Sequence, residues 1–564
     1  MRDSEAMAAT HPARPAAADP RLAAPNQPPP LAGYNTFETD AALSEALERE
    51  GGGWARDRAR TLGAICGDPV WIEKGTTANE HPPVLKTFDR FGNRVDEASF
   101  HPAWHELLAL GVQHGLHALP WQDPRPGAHV ARAALFVQLA QVEAGVGCPL
   151  SMTYSAVPAL RAQPELAAAW EPRLLSGGYK PALDPPGGKS SALAGMAMTE
   201  KQGGSDVRAN LTTARPLNGG GPGAGYALDG HKWFCSAPMC DVFLVLAQAP
   251  GGLTCFLVPR VLADGTRNVF RLQRLKDKLG NRSNASSEVE FDGTWAQMVG
   301  EEGRGVATII EMVGHTRLDC VIGASAGMRQ GVAQATWHAA HRSAFGKTLI
   351  DQPLMTNVLA DLCVESEAAT VTAMRLARAY DEASDDPREA GFKRVATAVA
   401  KYWTCKRAPG HAAEALECLG GNGFVEESGM PRLFRESPLG SIWEGSGNVQ
   451  CLDVLRALSR SPETLEAFLG EVREAAGADP RLDAAIAELE AEFTDLEHVE
   501  TRSRRIVERM ATALQGSLLV RHGDDAVADA FCASRLAHDG GLAYGTLPPG
   551  VDAAAIVARH TPQA

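Results

Sequence analysis

The sequence predicts an α+β protein, mostly α, in four parts: an N-terminal helical domain, a middle β domain, a C-terminal four-helix bundle and an extra helical region. Three observations predict it. The apolar pattern is helical to about Trp170, changes to short alternating runs between about residues 190 and 295, and becomes helical again after Gly303. A Pro/Gly stretch, KPALDPPGGKS, marks the first change. The stretch GVATIIEMVGHTRLDCVIGASAGMRQGVAQATWHAAHRSAFG is apolar on more than one face, as in a helix packed inside a bundle.

Residues 1–35 are rich in Ala, Pro and Asp and have no apolar signal-peptide core, so they read as a disordered, solvated tail. The helical domain then spans 36–190, the β domain 191–300, the bundle 301–456 and the extra helices 457–564. In the β domain, ALAGMAMTE, YALDGHKWF, DVFLVLAQ, LTCFLVP and SSEVEFDG are strand-like, and Asp229–Gly230 reads as a two-residue hairpin turn. The insert LNGGGPGAG matches GxGxxA formally. It follows no buried strand and opens no helix, which argues against a Rossmann unit.

With 564 residues and a net charge of -14, the chain is too large for one small core and does not coat nucleic acid by bulk charge. Its eleven cysteines form no CxxC pair and read as buried thiols in a reducing compartment, which points to the cytoplasm. No apolar run is long enough to cross a bilayer. His101, His105, His114 and His117 invite a metal reading, but zincin spacing and a Cys or Asp partner are missing, so no metal is expected.

Three glycine-rich segments stand together: TEKQGGSD after a strand, CLGGNGF at a helix end and IWEGSGN opening a helix. Such segments present free N–H groups to anions, and three in one chain point to a dinucleotide. The indole of Trp233, in HKWFCS, either covers a flat ring or fills the sheet core. Glu444, just before Gly-Ser-Gly, reads as a desolvated general base or as an acid balancing a helix dipole.

Together these segments resemble the acyl-CoA dehydrogenase family of flavoproteins over about residues 36–456. MTEKQGGSD is similar to its M-T-E-x-x-[AG]-G-S-D flavin signature, ECLGGNGF to its glycine-rich segment, and RLFRESPLGSIWEGSGNVQ to the run that carries its catalytic acid. TEKQGGSD, RLDCVIGASAGMRQ, AKYWTCKRAP and SIWEGSGNVQCLDVLR, with the long C-terminal region, resemble the branch of the family tied to DNA alkylation stress.

The resemblance implies FAD as cofactor and a barrel-like middle domain. It lays Met196, Ala197, Met198, Thr199, Gly203, Gly204 and Ser205 along the flavin edge, and Trp233, Phe234 and Cys235 over its ring, with Cys235 where family members have Thr. It closes Ile442, Trp443, Gly445, Ser446, Gly447 and Asn448 over ring and adenosine. Arg342, Phe345, Gly420 and Gly421 reach the FAD of a neighbouring subunit, which implies a homo-oligomer, a tetramer built as a dimer of dimers. Pro353 and Glu417 depart from the glutamines usual at those places.

The same resemblance implies that Glu444 takes the base position, abstracting an α-proton from an acyl-CoA thioester as hydride leaves the β-carbon for flavin N5. Thr316 stands where another branch carries its base, and Arg456 can crowd the acyl cavity. The branch also implies double-stranded DNA binding through the C-terminal region, with feeble dehydrogenation. Beyond Leu458 there are ten arginines against eighteen acids and no lysine, an acidic balance. The cluster TRSRRIVER puts Arg502, Arg505 and Arg509 on one helix face, either as a phosphate stripe or as a solvated face paired with glutamates.

Overall fold

The computed structural model describes residues 26–494 and 497–563. The N-terminal domain comprises α1 (Ala41–Arg49), α2 (Arg56–Cys66), α3 (Pro69–Glu80), a hairpin of β1 (Val84–Phe88) and β2 (Arg94–Ser99), α4 (Pro102–Gln113), α5 (Leu119–Gln122), α6 (Ala128–Val142), α7 (Gly147–Leu160) and α8 (Pro164–Leu174). Proline opens α3 and α4, where its missing N–H costs nothing, and the side chains of Asp68 and His101 accept the first free N–H groups. The domain is not wholly helical, because Asp89 Oδ1 accepts from Phe91 N–H and Asn93 N–H and folds the chain into the β1–β2 hairpin.

Within residues 26–35, expected in the solvated tail, two side chains are packed instead. Leu31 and Tyr34 are buried with Ala333 against Trp337, and Trp337 Nε1–H donates to Pro29 O at 2.8 Å. Residues 1–25 of that expected tail lie outside the described residues.

The middle domain holds β3 (Ala194–Ala197), β4 (Thr213–Pro216), β5 (Gly225–Ser236), β6 (Val242–Ala249), β7 (Gly252–Pro259), β8 (Arg271–Leu275) and β9 (Ser286–Val299). Its strands pair in the order β6-β4-β5-β9-β7, and β7 returns to β6, so the sheet closes on itself with β3 parallel to β6 outside the ring. Closure removes free edges, which suits a domain whose strands β6 and β7 are buried almost throughout. Asp229–Gly230 is not a turn. It lies inside β5 at a bulge against β9, and the two-residue hairpin is at Pro250–Gly251, between Ala249 and Gly252.

α9 (Gly305–His341) is a single helix of 37 residues. A small hairpin of β10 (Ser343–Ala344) and β11 (Lys347–Thr348) leads to α10 (Pro353–Glu382) and α11 (Pro387–Glu417). The short α12 (Met430–Glu436) precedes α13 (Gly447–Arg460), and α9, α10, α11 and α13 form the bundle.

The extra region is α14 (Glu463–Arg473), α15 (Pro480–Glu492), α16 (Val499–His522), α17 (Asp525–Phe531) and α18 (Ala553–His560). Buried charge joins it to the bundle. Arg375 bonds Glu389 and Glu471, and Arg521 shares Glu471. Arg535 and Arg407 meet at Glu365, and Arg559 bridges Glu367 and Glu45. Arg521, Arg535 and Arg559 of this acidic region are thus spent on contacts with the bundle.

Candidate active site

The signature residues follow β3 in a tight loop in which Glu200 and Gly203 exchange backbone hydrogen bonds at 3.1 Å. A Cβ on Gly204 would stand 2.4 Å from Thr199 Oγ1, so only glycine leaves this backbone bare beside the hydroxyl. Met196 and Ala197 are buried in the strand, whereas Thr199, Gly203, Gly204 and Ser205 form an accessible edge. The loop is anchored by a pair that sequence reasoning missed. Lys232 and Glu200, both with fully buried side chains, meet at 2.7 Å, and Glu200 also accepts from Leu211 N–H and Thr212 N–H. Burial pushes the Glu200 carboxyl up, but Lys232 and these donors outweigh it and bring it to about 2.

Trp233 N–H donates to Thr199 O at 2.8 Å and ties β5 to the signature loop. The β5–β9 register shifts between Lys232 and Cys235, which separates three residues expected to act together. Phe234 is half exposed, while Cys235 is fully buried, with a thiol that burial pushes up to about 12. Lys276 lays its ammonium over the Trp233 ring at 3.6 Å, so one indole face is already taken.

The loop before α13 carries Glu444 at φ +57 and Gly445 at φ +98. Glu444 Oε2 accepts from Thr316 Oγ1 at 2.8 Å. Arg317 Nε donates to Glu444 O at 3.0 Å while its Nη1 holds Asp453 at 2.7 Å. Gln450 Nε2 donates to Glu444 O and Gly445 O, and Lys401 Nζ to Trp443 O and Gly445 O. Burial raises the Glu444 carboxyl above the usual carboxylate range, opposed by the Thr316 hydrogen bond and the charges of Arg317 and Lys401. Arg456, the expected gate, is exposed, with Asp453 3.4 Å away. Arg317, Lys401 and Gln450 were not singled out from the sequence. A lone lysine inside VATAVAKYW was the available signal.

These residues fit a flavin dinucleotide. α13 starts with no side chain capping its first N–H groups, Ile442 is exposed in front of it, and the Trp443 indole N–H is buried with no acceptor among the described residues. Asn448 accepts from Arg504 Nε at 2.8 Å, a contact that brings α16 to the loop. Arg342 and Phe345 lie elsewhere, while Gly420 and Gly421 open a short turn that follows α11. Thr316 and His341 are 25 residues apart on α9, roughly 38 Å at 1.5 Å per residue. Arg342 instead donates to Asn26 O at 2.7 Å, and Phe345 is fully exposed.

The four histidines have local roles. His101 caps α4, His114 ends it, His105 Nδ1 meets Tyr179 OH at 2.7 Å and His117 Nε2 meets Ser176 O at 3.0 Å. Arg502, Arg505 and Arg509 do share a face of α16, but Glu492 of α15 closes it, at 2.5, 3.1 and 3.2 Å. Of the two readings of this face, these ion pairs are those of a face paired with glutamates, and the Arg505 side chain remains largely exposed.

Residues 26–181 match the profile of the adaptive response protein AidB N-terminal domain, 195–294 the acyl-CoA dehydrogenase middle domain and 303–459 the acyl-CoA dehydrogenase C-terminal domain. AidB of Escherichia coli (strain K12) is 45% identical over 519 residues, 92% of this chain and 95% of that one. The chain belongs to the acyl-CoA dehydrogenase family. As a member of that family the protein is an FAD-dependent oxidoreductase. Acyl-CoA dehydrogenase family member 11 of Caenorhabditis elegans is 31% identical over 493 residues, 80% of this chain and 78% of that one. Among solved structures, C. elegans ACDH-11 in complex with C11-CoA superposes with a TM-score of 0.82 at 26% identity, covering 95% of each chain.

Proposed function

We propose that the protein dehydrogenates an acyl-CoA thioester with Glu444 as the base. The observation that carries this is the Glu444 carboxyl, held by Thr316 Oγ1 at 2.8 Å in the turn before α13, where it packs against α9 and α11 and burial raises it above the usual carboxylate range. Burial makes the carboxylate more basic than in water, which suits removal of a weakly acidic α-proton. Thr316 orients the oxygen that takes the proton. FAD, when bound, supplies the acceptor for the β-hydride. Thr199, Gly203, Gly204 and Ser205 offer polar edge groups, and the N-terminus of α13 offers free N–H groups to the phosphates.

Two features support further parts of the reading. Arg342 and Phe345 stand beyond the end of α9 remote from Glu444, which supports the reading that they, with Gly420 and Gly421, serve a neighbour's cofactor in a homotetramer. The eleven cysteines are all buried free thiols, which favours the reducing cytoplasm. Among the described residues no helix is long and apolar enough to cross a membrane.

A second reading, duplex DNA binding in the response to alkylation, draws support from the match of residues 26–181. The closure of Arg502, Arg505 and Arg509 by Glu492 counts against it. The deciding experiment is anaerobic titration with a panel of acyl-CoA thioesters while following flavin absorbance. Bleaching that disappears in Glu444→Gln supports the dehydrogenase, and an oxidised flavin with every thioester overturns it.

A further inference from the structure

Lys401 sits in an apolar stretch of α11 and is 1% exposed. Its ammonium donates to Trp443 O at 2.7 Å and to Gly445 O, the carbonyls on either side of Glu444. The carbonyl between them, Glu444 O, is taken by Arg317 at 3.0 Å. Three successive carbonyls are therefore gripped by two buried cations.

The grip falls on a strained backbone. A non-glycine residue at φ +57 is strained and persists only where its surroundings over-determine it. Arg317 spends its Nη1 on Asp453, 2.7 Å away. Lys401, by contrast, has no carboxylate within ion-pair distance among the described residues, and Glu444 is the nearby acid whose charge it offsets. The groups facing Glu444 are Thr316, Arg317 and Cys320 from α9, Lys401 from α11 and Cys148 from α7. Both thiols are neutral through burial, so the fixed charges at the base are Arg317 and Lys401.

We propose that Lys401 is a positioning residue for Glu444, fixing the left-handed turn from both sides and so the direction in which the carboxyl points. The inference rests on Glu444 being the base. It differs from a packing role because an apolar side chain of the same length fills the space but holds neither carbonyl.

The test uses the FAD-loaded protein with Lys401→Met and Lys401→Arg. Two readouts are taken: the infrared titration of the Glu444 carboxyl, isolated by subtracting Glu444→Gln, and the rate of flavin reduction by butyryl-CoA. Lys401→Met is expected to retain FAD, to titrate Glu444 at higher pH than the wild type, and to reduce flavin roughly 10- to 100-fold more slowly. Lys401→Arg is expected to restore both. A Lys401→Met protein that titrates and reduces like the wild type overturns the proposal. If Lys401→Met does not fold, Lys401→Gln decides. A wild-type titration in that folded variant overturns the proposal, and an upward shift supports it. A wild type that is inert to butyryl-CoA but shows the infrared shift sinks the proposed reaction and leaves the Lys401 geometry standing.

Discussion

Thr316 donates its hydroxyl to Glu444 Oε2 at 2.8 Å. The contact joins the long helix to the loop before α13, two places at which the family resemblance puts an acid. Here only one of them holds a carboxylate, and the other holds the hydroxyl that steadies it. Replacing Thr316 by Val removes a hydrogen bond that favours the ionised form. The base works when deprotonated, so the acidic limb of flavin reduction should move to higher pH in Thr316→Val, with the high-pH plateau little changed. A pH profile of single-turnover reduction checks this.

Glu444→Gln should lower flavin reduction by on the order of 10²–10⁴-fold, the usual worth of a positioned base, with FAD content unchanged. Stopped-flow absorbance under anaerobic conditions measures it. A loss below tenfold would mean that another group takes the proton.

Lys232 and Glu200 anchor the signature loop from a site without solvent. Leaving one of them unpaired costs about 3–5 kcal/mol, so Lys232→Met should melt well below the wild type and lose FAD first. The Glu200 carboxyl, held down to about 2, stabilises the folded state above its ordinary pKa, and this contribution fades as pH falls toward 2. Calorimetry across that acid range should show a shallower pH dependence in Glu200→Gln.

His560 pairs with Glu367 at 2.9 Å. Burial alone would lower the imidazole, but Cys363 and Glu367 outweigh it and lift it to about 10. Its raised value stabilises the fold fully below its ordinary pKa near 6.5, and the contribution is lost as pH rises through about 10. The melting temperature should therefore fall over that alkaline range, and less steeply in His560→Gln.

If Glu492 neutralises the arginine cluster, Arg505→Ala should leave duplex DNA retention unchanged at low and moderate salt. Glu492→Gln should create salt-dependent retention, because three guanidinium groups lose their shared carboxylate. Filter binding across a salt series separates these outcomes. Retention lost in Arg505→Ala would restore the DNA reading.

Much of the architecture was legible because period changes are local. The run after Gly303 reads as one long helix, and α9 is that helix. The β1–β2 hairpin was not legible, since Val84–Phe88 is an exposed edge strand with little apolar alternation to betray it. Asp229–Gly230 misled because a bulge and a hairpin turn call for the same residue types. At the site, motif residues were visible but their restraints were not. Thr316 and Glu444 are 128 positions apart, and no periodicity pairs them. The arginine face was placed correctly on α16, but the acid that closes it arrives on α15.

Arg329, buried in α9, donates to Thr39 O at 2.5 Å and to His560 O at 2.9 Å. One guanidinium thus clasps carbonyls that the ribosome makes at very different times. Until α18 emerges, the buried charge has only part of its shell, and the segment before α1 has an incomplete latch. Completion of this one contact therefore waits for α18. Nascent chains stalled before α18 should leave the segment around Thr39 open to protease, and released chains should protect it.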